Sequence, residues 1–133
     1  MAGFQVIFSG RFWVITEALL GKWRLVEGDA WDVEYLNLVE PAHIQIGAGQ
    51  LGRLVFGGLT AELDYRLSDR MDRPTIDFSW EGWDEDTQVF GRGWGVLDED
   101  GRLRLRLYIH NGDESGLVAE RIDDKKELRR RRR

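Results

Sequence analysis

The sequence contains no cysteine. Disulfides therefore cannot hold the fold together, and thiolate metal sites and a cysteine nucleophile are excluded. A chain of 133 residues is close to the usual size of one domain and can bury a hydrophobic core without such cross-links. These features predict a single domain in a reducing compartment, for which the cytoplasm is the simplest choice.

Long apolar runs are also absent. The first twenty residues are apolar only in patches, which Ser9, Gly10 and Arg11 interrupt, and they lack the basic start and the small-residue cleavage site of a signal peptide. No run approaches the roughly 20 apolar residues of a membrane-spanning helix. We therefore expect a soluble protein with no membrane partner.

Basic charge is scarce except at the carboxyl terminus. The net charge is −5, but residues 1–122 carry 12 basic and 21 acidic side chains, whereas residues 123–133 carry 7 basic and 3 acidic ones. An acidic body repels phosphate backbones, so nucleic acid is expected as a partner only through the tail from Arg129 to Arg133. An acidic protein partner, the chain's own acidic body and a disordered solubilising role are the alternatives for this tail.

What the sequence does contain is repeated alternation of apolar and polar residues. In residues 102–110, four aliphatic side chains alternate with arginines, a tyrosine and a histidine, which indicates a strand with one buried face. The same reasoning predicts eight strands, at residues 22–28, 42–47, 51–57, 61–67, 75–81, 88–97, 102–110 and 115–122.

Turn residues join these strands in sequence order. Residues 98–101 and 111–113 have hairpin composition, and residues 68–74 suggest a longer polar loop. Neighbouring strands therefore pair, and eight of them tend to close because closure removes exposed edges. We predict an all-β, eight-stranded antiparallel up-and-down barrel over residues 21–122, with a basic tail at 123–133.

The remaining segments suggest short helices and one unassigned strand. The N-terminal segment 1–20 is expected to hold a helical turn over 12–20, and residues 31–39 are expected to cap one mouth of the barrel. Residues 4–8 form an apolar, β-prone stretch that suits either an extra strand or an association segment.

Three residues carry a resemblance to a known superfamily. Gly21 and Trp23, after a helical turn, resemble the Gly-x-Trp signature of the lipocalin and calycin barrels, and Arg121 on the last strand completes the pattern. This resemblance implies a calycin-like barrel in which the Arg121 guanidinium packs over the Trp23 ring and closes the floor. Such a cation–π contact is worth roughly 1–2 kcal/mol when desolvated.

A closer resemblance covers residues 21–121. The chain is similar to a family of small bacterial proteins without an assigned function, through Trp31-Asp32, Pro41-Ala42 and residues 78–82, 91–94 and 110–115. This similarity implies a bacterial origin and an architecture, but it does not imply an activity, because a fold does not determine a function.

Arg92 is the most informative candidate for ligand binding. It shares one face of its strand with Phe90 and Trp94, which predicts that all three point into the barrel. An inward arginine can bind a ligand carboxylate with two hydrogen bonds. The alternative is a strand shifted by one residue, or a glycine-rich bulge, which turns Arg92 to solvent.

The inward interpretation predicts a binding module for a small apolar or carboxylate-bearing ligand. Its predicted ligand-binding residues are Arg92, Trp31, Tyr35, Trp94 and Tyr65. Many large inward side chains favour a small pocket or a filled lumen, because an eight-stranded barrel is narrow. The side chains predicted to fill the lumen are Trp23, Leu63, Tyr65, Phe78, Trp80, Phe90, Trp94, Leu105 and Leu107.

An interaction protein is the second hypothesis. Trp31 and Trp83 lie near predicted loops, and they or residues 4–8 could dock a partner or a second copy of the chain, since monomers rarely expose such patches. The basic tail could then contact an acidic partner or nucleic acid.

An enzyme is the third hypothesis, and no spacing in the sequence specifically demands it. Asp32, Glu81 and His110 are candidate acid–base groups. His110, Asp113 and Ser115 match a catalytic triad only by residue type, since one hairpin rarely aims all three at a common point. His43 and His110 occupy polar faces without a third aligned ligand, so neither a metal nor a cofactor is expected.

Overall fold

The computed structural model describes residues 9–122. The predicted association segment at residues 4–8 and the basic tail at residues 123–133 lie outside the described residues.

Eight antiparallel strands form one closed barrel, in which each strand pairs with its sequence neighbours and the first pairs with the last. The predicted fold class is therefore confirmed. In chain order the elements are α1 (Ser9–Leu19), β1 (Gly21–Gly28), α2 (Val33–Leu36), β2 (His43–Ile46), β3 (Leu51–Phe56), β4 (Leu59–Arg70), β5 (Arg73–Asp84), β6 (Thr87–Leu97), β7 (Leu103–Ile109) and β8 (Glu114–Arg121).

Alternation along the strands generates the core. In β4 the residues from Leu59 to Tyr65 are buried at every second position and exposed between them, because only one face of the strand points into the barrel. β7 follows the same rule. Seven of the nine side chains predicted to fill the lumen are buried, namely Trp23, Leu63, Tyr65, Phe78, Trp80, Leu105 and Leu107. The other two are exposed.

The connection between β4 and β5 is tighter than predicted. Residues 68–74 do not form a long loop, because both strands continue to a two-residue turn at Met71 and Asp72, where φ is 54° and 63°. Two residues with positive φ are typical of the type I′ turn, whose twist matches that of the strands. The polar side chains that suggested a loop lie at the adjoining ends of two long strands. One of them, Arg70, forms a 2.7 Å ion pair with Asp77, which lies farther along β5.

The two helices cover opposite ends of the barrel. α1 packs against β4 and β5 and buries Ile15 and Leu19. At the other end, the Asp32 carboxylate accepts a 2.8 Å hydrogen bond from the Tyr35 backbone N–H and caps α2, which buries Leu36. The cap thus fixes where α2 begins, and α2 is the helical part of the segment 31–39 that was expected to cover one mouth of the barrel.

Candidate functional site

Arg121 and Trp23 form the floor of the barrel. The guanidinium carbon of Arg121 lies 4.5 Å from the centre of the buried Trp23 ring, so the predicted contact is present. The same guanidinium donates to the carbonyls of Leu20, at 2.8 Å, and Ala18, which satisfies groups left open where α1 ends. Although Arg121 as a whole residue is exposed, partial burial of its guanidinium lowers its pKa. The contact therefore has an architectural role.

Tyr65 belongs to the core. The side chain is buried, and its hydroxyl donates a hydrogen bond to the Gly47 carbonyl oxygen. Burial raises the pKa of this phenol, because the charged form would lose hydration. Since the hydroxyl already has a partner inside the protein, Tyr65 supports the barrel wall, and its predicted ligand-binding role has no further support.

Trp31 and Tyr35 lie together at the mouth of the barrel beside the β3–β4 turn. Their ring centroids are 6.4 Å apart, and the Trp31 ring lies 4.9 Å from that of Phe56. The Tyr35 ring covers Gly57, where a Cβ would come within 2.7 Å of it. Burial raises the pKa of Tyr35, as do the nearby charges of Asp84 and, less strongly, Glu85. These two rings close the mouth of the barrel. Arg92, which the sequence grouped with them as a ligand-binding residue, lies elsewhere, on the outer wall at β6.

The predicted inward orientation of Arg92 is wrong. Arg92 and Trp94 point outward, as does Phe90, which is 52% exposed. The alternative considered from the sequence, a strand shifted by one residue, therefore describes β6 correctly. A shift of one residue moves every side chain of a strand to the opposite face.

The reason for this orientation is the shortage of space inside the barrel. The three central inward positions of β6 are Gly91, Gly93 and Gly95, and Val89 and Leu97 continue the same face toward its ends. A Cβ at Gly93 would lie 2.5 Å from Cζ of Phe78, and one at Gly91 would lie 2.9 Å from Cζ2 of Trp80. A Cβ at Gly91 would also clash with the backbone carbonyl of Tyr108, and one at Gly95 would lie 2.5 Å from Cδ2 of Leu105, both on β7. Side chains of β5 and atoms of β7 together fill the space in front of β6, so only glycine fits at these three positions.

The outward residues of β6 and β7 form a cluster. Arg92 pairs with Tyr108 across the two strands, and its guanidinium carbon lies 5.1 Å from the centre of the Tyr108 ring. The Phe90 and His110 rings stack next to this pair, with centroids 4.6 Å apart and an interplanar angle of 21°. We call Phe90, Arg92, Tyr108 and His110 the Arg92 surface.

Three open clefts adjoin this surface on the outside of the barrel. The largest, of about 430 Å³, separates Leu51 on β3 from Phe90 on β6, and we call it the Leu51 cleft. The second, of about 410 Å³, contains all four residues of the Arg92 surface. The third, of about 400 Å³, includes Arg92 with Asp77 and Ser79. Arg92 therefore borders two clefts, and Phe90 also borders two.

Arg92 differs electrostatically from the arginines around it. Arg66 pairs with Asp64 at 2.6 Å, Arg104 with Asp98 at 2.7 Å and Arg106 with Glu114 at 3.2 Å. Within residues 9–122, no carboxylate pairs with Arg92, whose contact is the face of Tyr108. Because a ring covers only one face of the guanidinium, the N–H groups along its edge stay available to an acceptor.

The candidate acid–base groups do not meet in one site. Ser115 is buried, where its hydroxyl accepts from the Ala30 N–H and donates to the Gly116 carbonyl, so it does not form a triad with His110. Asp32 caps α2, and Glu81 points outward from β5. Among residues 9–122, no group of three or more histidine, aspartate or glutamate side chains could hold a metal ion.

Sequence reasoning missed Tyr108 and the partnership of Phe90 with His110. The alternation of β7 placed Tyr108 and His110 on the outer face, which is where they lie. The error on β6 separated them from Arg92 and Phe90. The signal that could have joined them is the row of glycines on β6, since a face of three glycines suits a crowded interior better than a pocket.

No helix within residues 9–122 is long and apolar enough to span a membrane. No protein-family model matches the chain, and no curated protein is detectably similar to it. The eight-stranded antiparallel barrel is therefore established by the structure, whereas the likeness to lipocalins rests on Gly21, Trp23 and Arg121.

Proposed function

We propose that this protein is a binding module that recognises a carboxylate-bearing protein partner on the outside of its barrel, through the Arg92 surface. The observation that carries the proposal is the guanidinium of Arg92, which lies on the Tyr108 ring and has no carboxylate partner within residues 9–122. The proposal keeps carboxylate recognition by Arg92, as expected from the sequence, and moves it from the lumen to the outer wall.

The chemistry of the surface suits this role. A guanidinium held on an aromatic ring is oriented before binding, and its edge can donate two parallel hydrogen bonds to one carboxylate. The exposed Phe90 ring beside it offers apolar area that a partner could bury. Charge and apolar contact are thus adjacent, which is typical of the anchoring residues of protein interfaces.

The open shape of the clefts favours a protein segment over a small molecule. Small-molecule sites enclose most of their ligand, typically about 70–90% of its surface. The three clefts described above are open on the outer wall, and buried side chains occupy the interior. A segment that presents a glutamate or aspartate side chain can lie across such a surface.

A peptide titration tests the proposal. The acetylated, amidated peptide Glu-Phe-Glu-Phe is added to the ¹⁵N-labelled full chain, and backbone amide shifts are followed by NMR. We expect the largest shifts in β6 and β7 around Arg92, and affinity at least about tenfold lower for Arg92→Gln, because a charge-assisted hydrogen bond contributes roughly 1.5–3 kcal/mol.

Two controls accompany the titration. The peptide Gln-Phe-Gln-Phe keeps the aromatic rings but removes the carboxylates, and it should bind more weakly. Arg104→Gln removes another exposed arginine of β7 that already pairs with Asp98 and Asp100, and it should leave the affinity unchanged. Shifts that cluster away from Arg92, or equal affinity of the wild type and Arg92→Gln, would refute the proposal.

A further inference from the structure

Two exposed glutamates lie close to the Arg92 surface. Glu62 on β4 is directly opposite Glu81 on β5, and both side chains are exposed on the outer wall. Within residues 9–122, neither carboxylate forms an ion pair. Like charges directly opposite each other across two strands are destabilising. Arg53 on β3 is opposite Glu62 but forms no ion pair with it, and no basic residue is opposite Glu81, so a basic group placed between the two glutamates would be favourable. We call Glu62 and Glu81 the acidic pair.

The register fixes how the acidic pair lies relative to Arg92. Glu81 is opposite Phe90, and Ser79, two residues before Glu81, is opposite Arg92. With strands about 4.8 Å apart and a rise of about 3.4 Å per residue, the midpoint of the acidic pair lies roughly 10 Å from Arg92 along the wall. Phe90 neighbours both groups. One small patch therefore carries a positive group and two negative groups that form no ion pair within residues 9–122, together with an exposed ring.

Such a patch is complementary to itself. We propose that a second copy of this chain docks on it by twofold symmetry, with Arg92 of each copy between the two glutamates of the other. In a twofold interface, if one residue contacts another across the axis, the reverse contact forms as well. This inference rests on the proposed function and names its partner, because the carboxylates that Arg92 binds become those of the second copy.

Apolar contacts have to accompany the charges, because an isolated exposed ion pair contributes little. Phe90 is 52% exposed and lies next to both Arg92 and Glu81 in the register. The twofold operation that exchanges Arg92 with the acidic pair brings Phe90 of one copy close to Phe90 of the other, so the two exposed rings would meet beside the charges. We therefore expect a weak dimer that dissociates on dilution and in high salt.

Charge reversal in two separate variants tests the dimer. Sedimentation velocity is measured on the full chain at low and high concentration for the wild type, for Arg92→Glu and for the double variant Glu62→Arg with Glu81→Arg. We expect the wild type to associate and each variant alone to be monomeric. An equimolar mixture of the two variants should associate again, since both of its contacts then join opposite charges.

The mixture also guards against misfolding, because two unfolded proteins do not restore each other's association. Arg104→Glu is the matched control: it reverses an exposed arginine outside the patch, keeps Arg92 and the acidic pair, and should associate like the wild type. A monomeric wild type at about 1 mM, or a mixture that stays monomeric, would overturn the inference.

The remaining outcomes separate the inference from the proposed function. If the wild type is monomeric but binds the Glu-Phe-Glu-Phe peptide through Arg92, the second-copy inference fails while the proposed function stands. The last outcome concerns the chain's own basic tail. If removal of residues 123–133 shifts the NMR signals of the Glu62 and Glu81 carboxyl groups while the oligomeric state stays the same, the tail occupies the acidic pair, and the inference is overturned as well.

Discussion

The Arg121 guanidinium occupies the space that a side chain at residue 21 would need: a Cβ on Gly21 would lie 2.7 Å from Nη1 of Arg121. The backbone at Gly21 also has a φ of 129°, which side chains rarely tolerate. The glycine and the tryptophan of the Gly-x-Trp motif thus serve one contact, since Gly21 leaves room for the arginine that covers Trp23.

Replacing Gly21 with alanine should therefore destabilise the barrel by about 1–3 kcal/mol, through backbone strain and displacement of Arg121. Urea denaturation measures the change in the free energy of unfolding. Gly101→Ala is the matched control, because Gly101 also has a positive φ of 84° but a Cβ added there would meet no atom within 4 Å. Equal costs for both substitutions would contradict the steric role of Arg121.

Arg121 itself should contribute measurably to stability. We expect Arg121→Ala to lower the free energy of unfolding by about 1–3 kcal/mol, because it removes both the stacking on Trp23 and the hydrogen bonds to the end of α1. Arg121→Lys should not restore stability, since an ammonium lacks the planar donors. Arg92→Ala, at the exposed contact with Tyr108, should cost less, and the reverse order in the same urea experiment would contradict this account.

Alanine at position 93 distinguishes the two orientations of β6. With Gly93 inward, the added methyl meets the Phe78 ring and should destabilise the protein by about 1–3 kcal/mol through overpacking. Were Gly93 outward, alanine would be neutral or stabilising, because glycine is a poor strand residue. Thermal and urea unfolding of Gly93→Ala decide the sign, with outward Ser79→Ala as control. Phe78→Leu should partly rescue Gly93→Ala.

Asp98 should make stability depend on acidic pH. Hydrogen bonds from Arg104, from the Glu99 N–H and from Arg73 lower the pKa of Asp98 from 3.8 to about 2. A carboxyl group whose pKa is lower in the folded state stabilises the fold above its unfolded pKa. That stabilisation is lost as the pH falls through the folded pKa.

The difference in stability between the wild type and Asp98→Asn should accordingly be complete at neutral pH and decrease between pH 3.8 and about 2. Urea midpoints across this range, together with an NMR titration of the Asp98 carboxyl carbon, measure it. A stability difference that does not change with pH would show that the charge of Asp98 does not cause the destabilisation by Asp98→Asn.

The strands followed from the sequence because their causes are local. An alternating strand such as β7 needs only one apolar and one polar face to be recognised, and hairpin turns make sequence neighbours pair. The contact between Trp23 and Arg121 was expected from the resemblance to the calycin barrels, and it is possible because a closed up-and-down barrel pairs its first strand with its last, which brings these two residues into register.

The face of β6 depended on the rest of the molecule. Large residues and glycines alternate from Phe90 to Val96, so the pattern itself allows either face to point inward. The volume left by Phe78 and Trp80 decides between them, and that volume exists only after β5 and β6 are paired. The sequence by itself therefore determined the eight strands and their order. Only tertiary packing decided that Arg92 lies outside, because available space in a core is a property of all its neighbours together.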